Sequence, residues 1–314
     1  MIEVSGLTRY YGETKAIEDL SFNVGANEIV GFLGLNGAGK TTTLKILAGL
    51  LHPTSGSVRI EGEDLFGGSL DTRRHVGFLP EVAPLYTEMR VRDYLRFLGE
   101  LRGMPSKGLD AAIEEVAERT HCAEALDVVI DTLSYGYRKR VGIAQAILHS
   151  PRWVILDEPI GGLDPVQIVG MRKVIANLRD TCTVLVSSHI LSEVSQTCDR
   201  LLILKQGRLV AEGSEQELSH MAQHASSLRV QLRMDAGAFE GLVGSTGLVK
   251  EASILRTEGD LLTARVDLTG DHREAFVAAL VQAGVGVRRV EDAEAELEDI
   301  FLELTSTQPS KKLS

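Results

Sequence analysis

Gly34-Leu35-Asn36-Gly37-Ala38-Gly39-Lys40-Thr41 fits the pattern G-x-x-x-x-G-K-[ST] at every position, directly after an apolar run. Glycines at such places let the main chain bend around an anion and turn successive N–H groups toward phosphate oxygens. Gly34, Asn36, Gly37, Ala38, Gly39, Lys40, Thr41 and Thr42 are therefore the candidate phosphate-binding residues. In this pattern the Lys40 ammonium reaches the outer phosphates and the Thr41 hydroxyl meets Mg²⁺. A second group comes from "WVILDEP", where Asp157 ends an apolar run. In open α/β sheets ligands bind at the carboxyl ends of strands, so Asp157 is placed to hold Mg²⁺ directly or through water. Glu158 beside it is the candidate base for an attacking water. "VSSHI" sets His189 after another strand, where a γ-phosphate could meet it; alone, such a histidine is more often structural.

These groups need a sheet to hold them. "EIVGFLGL" (28–35), "WVILDE" (153–158), "CTVLVSS" (182–188) and "RLLILKQ" (200–206) are nearly continuous apolar runs. That is the character of parallel strands covered on both faces. Helices are expected after Lys40 and over 91–101, 110–122, 134–148, 165–178 and 190–198, which gives an α/β domain. Ser214 with Glu217 three residues on forms a capping box that opens one more helix. The pattern places this domain at 1–220, a junction at 221–227 and an accessory domain at 228–305. In the accessory domain, strand-like and helical segments alternate as in a small α+β fold, the ferredoxin-like arrangement among them. Leu297, Ile300, Phe301 and Leu304 make one apolar helical stripe near its end, and 306–314 is expected to be a disordered tail.

With 33 Lys plus Arg against 44 Asp plus Glu, the net charge of the 314 residues is -11. That balance argues against a polyanion such as DNA as the main partner. No apolar run approaches the ~20 residues needed to span a bilayer. The start "MIEVSGLTRYYG" lacks the basic and apolar regions of a signal peptide. Cys122, Cys182 and Cys198 form no CxxC pair and read as small buried residues suited to a reducing compartment.

"LSYGYRKR" (133–140) opens another helix with a small hydroxyl residue, a glycine and basic residues in the first turns. Such a start also attracts phosphate, although the chain already has a phosphate loop. Phosphate loop, "LSYGYRKRVGIAQAI", "LDEP", "GGLDP" and "SSH" occur in the order and approximate spacing of the ATP-binding subunits of ABC transporters, and residues 1 to about 220 resemble that family throughout. The resemblance implies a P-loop NTPase fold of ABC type with a helical subdomain, and ATP and Mg²⁺ as cofactors. It also implies hydrolysis of ATP by a pair of subunits that sandwich two nucleotides head-to-tail. Ser134 and Gly136 would then contact the γ-phosphate held by the other chain's Lys40, which answers whose phosphate the second helix serves. By the same resemblance Tyr11 (with Tyr10 as neighbour) stacks on adenine, and Gly162, Leu163 and Asp164 form the loop that crosses between subunits. His189 is the switch histidine and Glu158 the catalytic glutamate. Glu81 stands where most members have a glutamine that senses Mg²⁺, so the metal group becomes Thr41, Glu81 and Asp157. Tyr135 and Tyr137 replace the glycine and glutamine of the usual "LSGGQ".

"LPEVAPLY", "LSYGYRKR" and "LEDIFLELT" resemble a narrower branch, the ATPases of exporters for drugs, polysaccharides and lipids and of gliding-motility systems. The expected partners are a membrane permease, met through 80–97, and a second ATP-binding subunit, most simply another copy. The expected location is the cytoplasmic face of the membrane. The competing reading is a soluble ATPase of the same family acting on ribosomes or nucleic acid. A single phosphate loop, the lack of a sustained heptad between Lys40 and Leu133 and the acidic charge disfavour it. A GTPase would need "NKxD", which is absent.

Overall fold

The computed structural model describes residues 1–67, 70–222 and 227–292. The chain starts with a hairpin of β1 (Ile2–Tyr11) and β2 (Thr14–Val24), then runs through β3 (Ile29–Leu33), α1 (Lys40–Leu47), β4 (Ser55–Ile60), β5 (Glu63–Asp64), α2 (Leu70–Arg74) and β6 (Val76–Leu79). Three helices follow: α3 (Val91–Leu101), α4 (Leu109–Arg119) and α5 (Tyr135–Ile147). Next come β7 (Trp153–Leu156), α6 (Pro165–Leu178), β8 (Thr183–Ser188), α7 (Leu191–Val194), β9 (Arg200–Lys205), β10 (Arg208–Gly213) and α8 (Glu215–Ala222).

The four apolar runs become the inner strands β3, β7, β8 and β9 of a six-stranded sheet of order β10-β9-β3-β8-β7-β6. Residues 29–33, 153–156 and 183–188 are buried at every position, as strands covered on both faces must be. The sheet is not wholly parallel, because β10 closes one edge by pairing antiparallel with β9. A hairpin suffices there, since Gln206 and Gly207 both take positive φ and turn the chain back at once. A second, antiparallel sheet of order β2-β1-β4-β5 was not expected. Its inward residues Ile2, Val4, Leu7, Leu20, Phe22 and Val58 share one core with Leu44 and Leu47 of α1 and with Phe32, Ile155, Leu185 and Leu202 of the central sheet. Thus α1 lies within a core that has β-structure on both sides, and its first residue, Lys40, is fixed by that core.

Helix 165–178 forms as the sequence indicates, with Asp164 capping it by accepting from the Gln167 N–H (2.9 Å) and Pro165 at its first position. The helix expected over 190–198 is shorter. After Val194 the regular helix stops: Thr197 and Cys198 N–H share the Val194 carbonyl, and residues 195–198 are half-buried or exposed rather than packed on one face.

The compact units divide at Glu215 and Gln216, a division that α8 spans. The second unit holds β11 (Ser227–Arg233), α9 (Ala236–Thr246), β12 (Val249–Glu258), β13 (Leu261–Leu268), α10 (Arg273–Gln282) and β14 (Gly286–Asp292). Its strands order as β12-β13-β11-β14 and every pair is antiparallel. This is the split βαβ arrangement of a ferredoxin-like fold. Leu228, Val230 and Leu232 face Val266, Ala264 and Leu262 in register, and Phe239, Phe276 and Leu280 of the two helices close over them. The stripe of Leu297, Ile300, Phe301 and Leu304 and the tail lie outside the described residues. No helix among the described residues is long and apolar enough to cross a membrane.

Candidate active site

In the parallel part of the sheet, Leu33 of β3 pairs with Ser188 of β8, and Leu156 of β7 pairs with Val186 of β8 and with Leu79 of β6. The segments leaving β3, β8, β7 and β6 therefore emerge side by side at one sheet edge. They carry, in that order, the phosphate loop, His189, the Asp157–Glu158 pair and Glu81.

The phosphate loop bends where only glycine fits. Gly39 has φ 102°, and a β-carbon there would lie 2.8 Å from the Ala16 carbonyl oxygen. At Gly34 a β-carbon would lie 2.6 Å from the Leu204 carbonyl oxygen. The helix that follows has no acidic residue in its first turn, so its N-terminal dipole is free to attract an anion. Asn36, Gly37, Ala38, Gly39, Lys40, Thr41 and Thr42 line a cleft of about 570 Å³ with Glu81, Glu158 and His189. Lys40 is buried and its ammonium donates to the Gly34 carbonyl (2.7 Å) while lying 3.4 Å from Glu158 Oε1.

Asp157 sits behind the cleft wall, 1% exposed. Its Oδ1 accepts from Ser187 Oγ at 2.6 Å and from Thr41 Oγ1 at 3.3 Å, while Oδ2 is buried with no hydrogen-bond partner. A buried carboxylate oxygen without a partner is costly, and a hard cation is the partner whose chemistry suits it. Thr41 and Asp157 thus fit Mg²⁺. No group of three or more His, Cys, Asp or Glu among the described residues could hold a metal unaided. A cation that keeps waters and shares phosphate oxygens needs only one or two protein ligands.

Glu158 follows in left-handed backbone geometry, φ 47°, which a non-glycine residue adopts only when its surroundings impose it. Its N–H donates to Ser187 Oγ (2.8 Å), and its carboxylate spans Lys40 on one oxygen and His189 Nδ1 (3.0 Å) on the other. A carboxylate held between a cation and an imidazole at the cleft wall can accept a proton from water.

Other expected residues lie apart. Ser134 caps α5, with its Oγ accepting the Tyr137 N–H at 3.4 Å, and is exposed. With Gly136 it lines a different recess, beside Arg140, Leu163 and Gln167. Asp164 serves as the cap of α6 and Gly162 lines the cleft. Tyr11 and Tyr10 are exposed at the end of β1, with the Arg9 guanidinium 5.0 Å from the Tyr11 ring centroid. It is Thr14, Lys15 and Ala16 of the same hairpin that line the cleft. Glu81 is exposed at the rim.

The basic residues of "LSYGYRKR" are engaged in different ways, and Arg140 borders the recess of Ser134 and Gly136. Arg138 donates to the Leu133 carbonyl, Arg140 to the His121 carbonyl, and Lys139 turns inward, 3% exposed. Its ammonium donates to the main-chain carbonyls of Glu81 (2.6 Å) and Glu158 (3.0 Å) and lies 5.6 Å from the Tyr135 ring centroid. Burial lowers the Lys139 pKa, and the carboxylates of Glu81, Asp157 and Glu158 oppose that shift. Sequence reasoning missed this residue, as it missed the bridging role of Ser187. Neither side chain reaches its partners through near neighbours in the chain.

The profile of the ABC transporter family matches residues 17–161. The bacitracin transport ATP-binding protein BcrA of Bacillus licheniformis is 33% identical over 97% of this chain and 97% of its own. The Nod factor export ATP-binding protein I of Burkholderia lata is 30% identical over 98% and 97%. A solved ATP-binding subunit of an ABC transporter superposes with a TM-score of 0.63 at 31% identity, over 70% of this chain and 92% of that one. With the phosphate loop, the acidic pair and the capped α5 all in place, the chain belongs to the ATP-binding proteins of ABC transporters, ATPases that bind ATP with Mg²⁺.

Proposed function

We propose that this chain hydrolyses ATP to drive export through a separate membrane permease, working as one half of a head-to-tail pair on the cytoplasmic face of the membrane. The observation that carries the reading is the Asp157–Glu158 pair: one carboxylate has a bare buried oxygen beside Thr41, and the next reaches between Lys40 and His189. In this reading the loop of Gly34 to Thr42 wraps the phosphates, and Lys40 moves from the Gly34 carbonyl to a phosphate oxygen. Thr41 and Asp157 hold Mg²⁺, with Glu81 at the rim as a further contact. Glu158 takes the proton of the attacking water, and His189 orients that water and the γ-phosphate. Tyr11 supplies the adenine contact.

Ser134 and Gly136 do not line the cleft of their own Lys40, which suits a nucleotide held by a second copy, with Asp164 near the crossing. The exposed apolar side chains of Val82, Tyr86 and Phe97, within 80–97, supply the permease contact. Relatives named for bacitracin transport and Nod factor export support the export reading. Residues 228–305 are read as an accessory domain, and the apolar core of its described part, 228–292, supports a packing role.

Glu158→Gln tests the reading. The amide cannot take a proton, so ATP hydrolysis should fall by about a hundredfold or more while ATP stays bound. Gel filtration with Mg-ATP should then show an accumulated dimer. Intact turnover with only monomer would sink the assignment.

A further inference from the structure

An ammonium nine-tenths or more buried is stable only if its N–H groups find acceptors. Lys139 spends two of its three donors on main-chain carbonyls and directs the remaining side toward the face of Tyr135. The two carbonyls belong to separate connections: Glu81 follows β6 and Glu158 follows β7. The lysine itself stands on α5. One side chain therefore ties three elements together at the residue that carries the catalytic carboxylate.

Glu158 is also one of the non-glycine residues with positive φ, and it lies in the cleft wall. At φ 47° it sits in a sparsely populated region that persists only when neighbours over-determine it. Its neighbours are few and specific: Ser187 Oγ holds the N–H and Lys139 Nζ holds the carbonyl. Pro159 fixes the far side of this peptide, so losing the Lys139 contact leaves the φ of Glu158 as the free variable, and a change there swings the carboxylate relative to Lys40 and His189. The hydrogen bonds, more than the charge, are what aim this group.

We propose that Lys139 is a positioning residue for hydrolysis, holding the Glu158 carbonyl so that its carboxylate points at the attacking water, and making that aim depend on where the Glu81 loop lies. This rests on the reading of Glu158 as the base. Lys139 borders the same cleft, but its ammonium is spent on the two main-chain carbonyls, so the proposal has it act through Glu158.

Two variants of the full-length chain decide it. Lys139→Met keeps most of the length and volume without donors, whereas Lys139→Gln keeps an NH₂ without charge. Steady-state ATPase assays should show kcat of the Met variant reduced between about tenfold and a hundredfold, with KM for ATP within about twofold of wild type. The Gln variant should recover most of that loss, and thermal melting should find both folded. A Met variant with wild-type kcat overturns the proposal. So do equal losses in the two variants, which would assign the effect to charge. A Met variant that fails to fold also overturns it, since Lys139 would then serve the fold at large. Glu158→Gln assayed alongside keeps the two ideas separable. Wild-type turnover there removes the base assignment, whereas loss there with an unimpaired Lys139→Met removes only the role of Lys139.

Discussion

The two compact units solve their interiors in opposite ways. In the first, Lys40, Lys139, Asp157, Glu158 and Glu193 are buried charged residues, each among polar partners such as Ser187 and Ser188. In the second, every buried residue among those described is apolar, from Leu228 through Phe276 to Leu280. Burial of apolar surface is the main favourable contribution to folding such a unit. Burying a carboxylate such as Asp157 works against stability unless something meets it, so such groups mark where the molecule does something other than fold. The difference predicts that substitutions in the first unit should act on hydrolysis far more strongly than substitutions in the second.

The largest effect should come from Lys40→Ala. It removes a charge-assisted phosphate contact and leaves Glu158 Oε1 without its cation, so hydrolysis should fall about a hundredfold or more. Near-normal turnover with unchanged ATP affinity would break the comparison at its strongest point.

Ser134→Arg should come next, because it puts bulk and charge at the exposed start of α5 without touching the buried groups. Its defect is expected in trans. Mixed with Lys40→Ala, one composite site of a head-to-tail pair takes both defects and the other takes none. Partial recovery of ATPase activity in the mixture is the expected outcome, and no recovery would confine each site to a single chain.

Legibility in the sequence follows the same division. The phosphate loop, "WVILDE" and the alternation of "LLTARVDL" could be read because their signals are local, in fixed spacing or in a period of two. The N-terminal sheet could not: β1 carries register shifts between Val4 and Leu7 and again before Tyr10, and each one breaks the period. Lys139 was read as one more basic residue of a helix start. Its acceptors stand 58 and 19 residues away, and only the packing of α5 against β6 and β7 brings them together. Asp157 was legible as a carboxylate at a strand end, but its bare Oδ2 is a property of the folded surroundings.

Glu81 tests the edge of the polar interior. Its carboxylate is exposed at the cleft rim and its carbonyl is what accepts from Lys139, so side-chain substitutions leave that hydrogen bond in place. Glu81→Gln removes one negative charge near the phosphates and should stay active within about tenfold, with a shifted Mg²⁺ dependence. Glu81→Ala should lose more. Identical rates for the three proteins across a Mg²⁺ titration would exclude a metal contact and leave Glu81 to the permease-facing surface.

The smallest effect on hydrolysis should come from the second unit, even from a drastic change. Phe276 is fully buried against Leu228, Val230, Phe239 and the rest of that core. Truncating a buried phenylalanine leaves a cavity and costs about 3–5 kcal/mol, a large share of what a unit of this size can hold in reserve. Phe276→Ala should therefore loosen β11, β13 and α10, seen as faster amide hydrogen exchange in 227–292. The ATPase rate of the full-length chain should stay within about twofold, because no group of the cleft belongs to that core. If hydrolysis instead falls together with the exchange protection, the apolar unit is part of the catalytic assembly. The contrast between a unit that folds and a unit that works would then have to be given up.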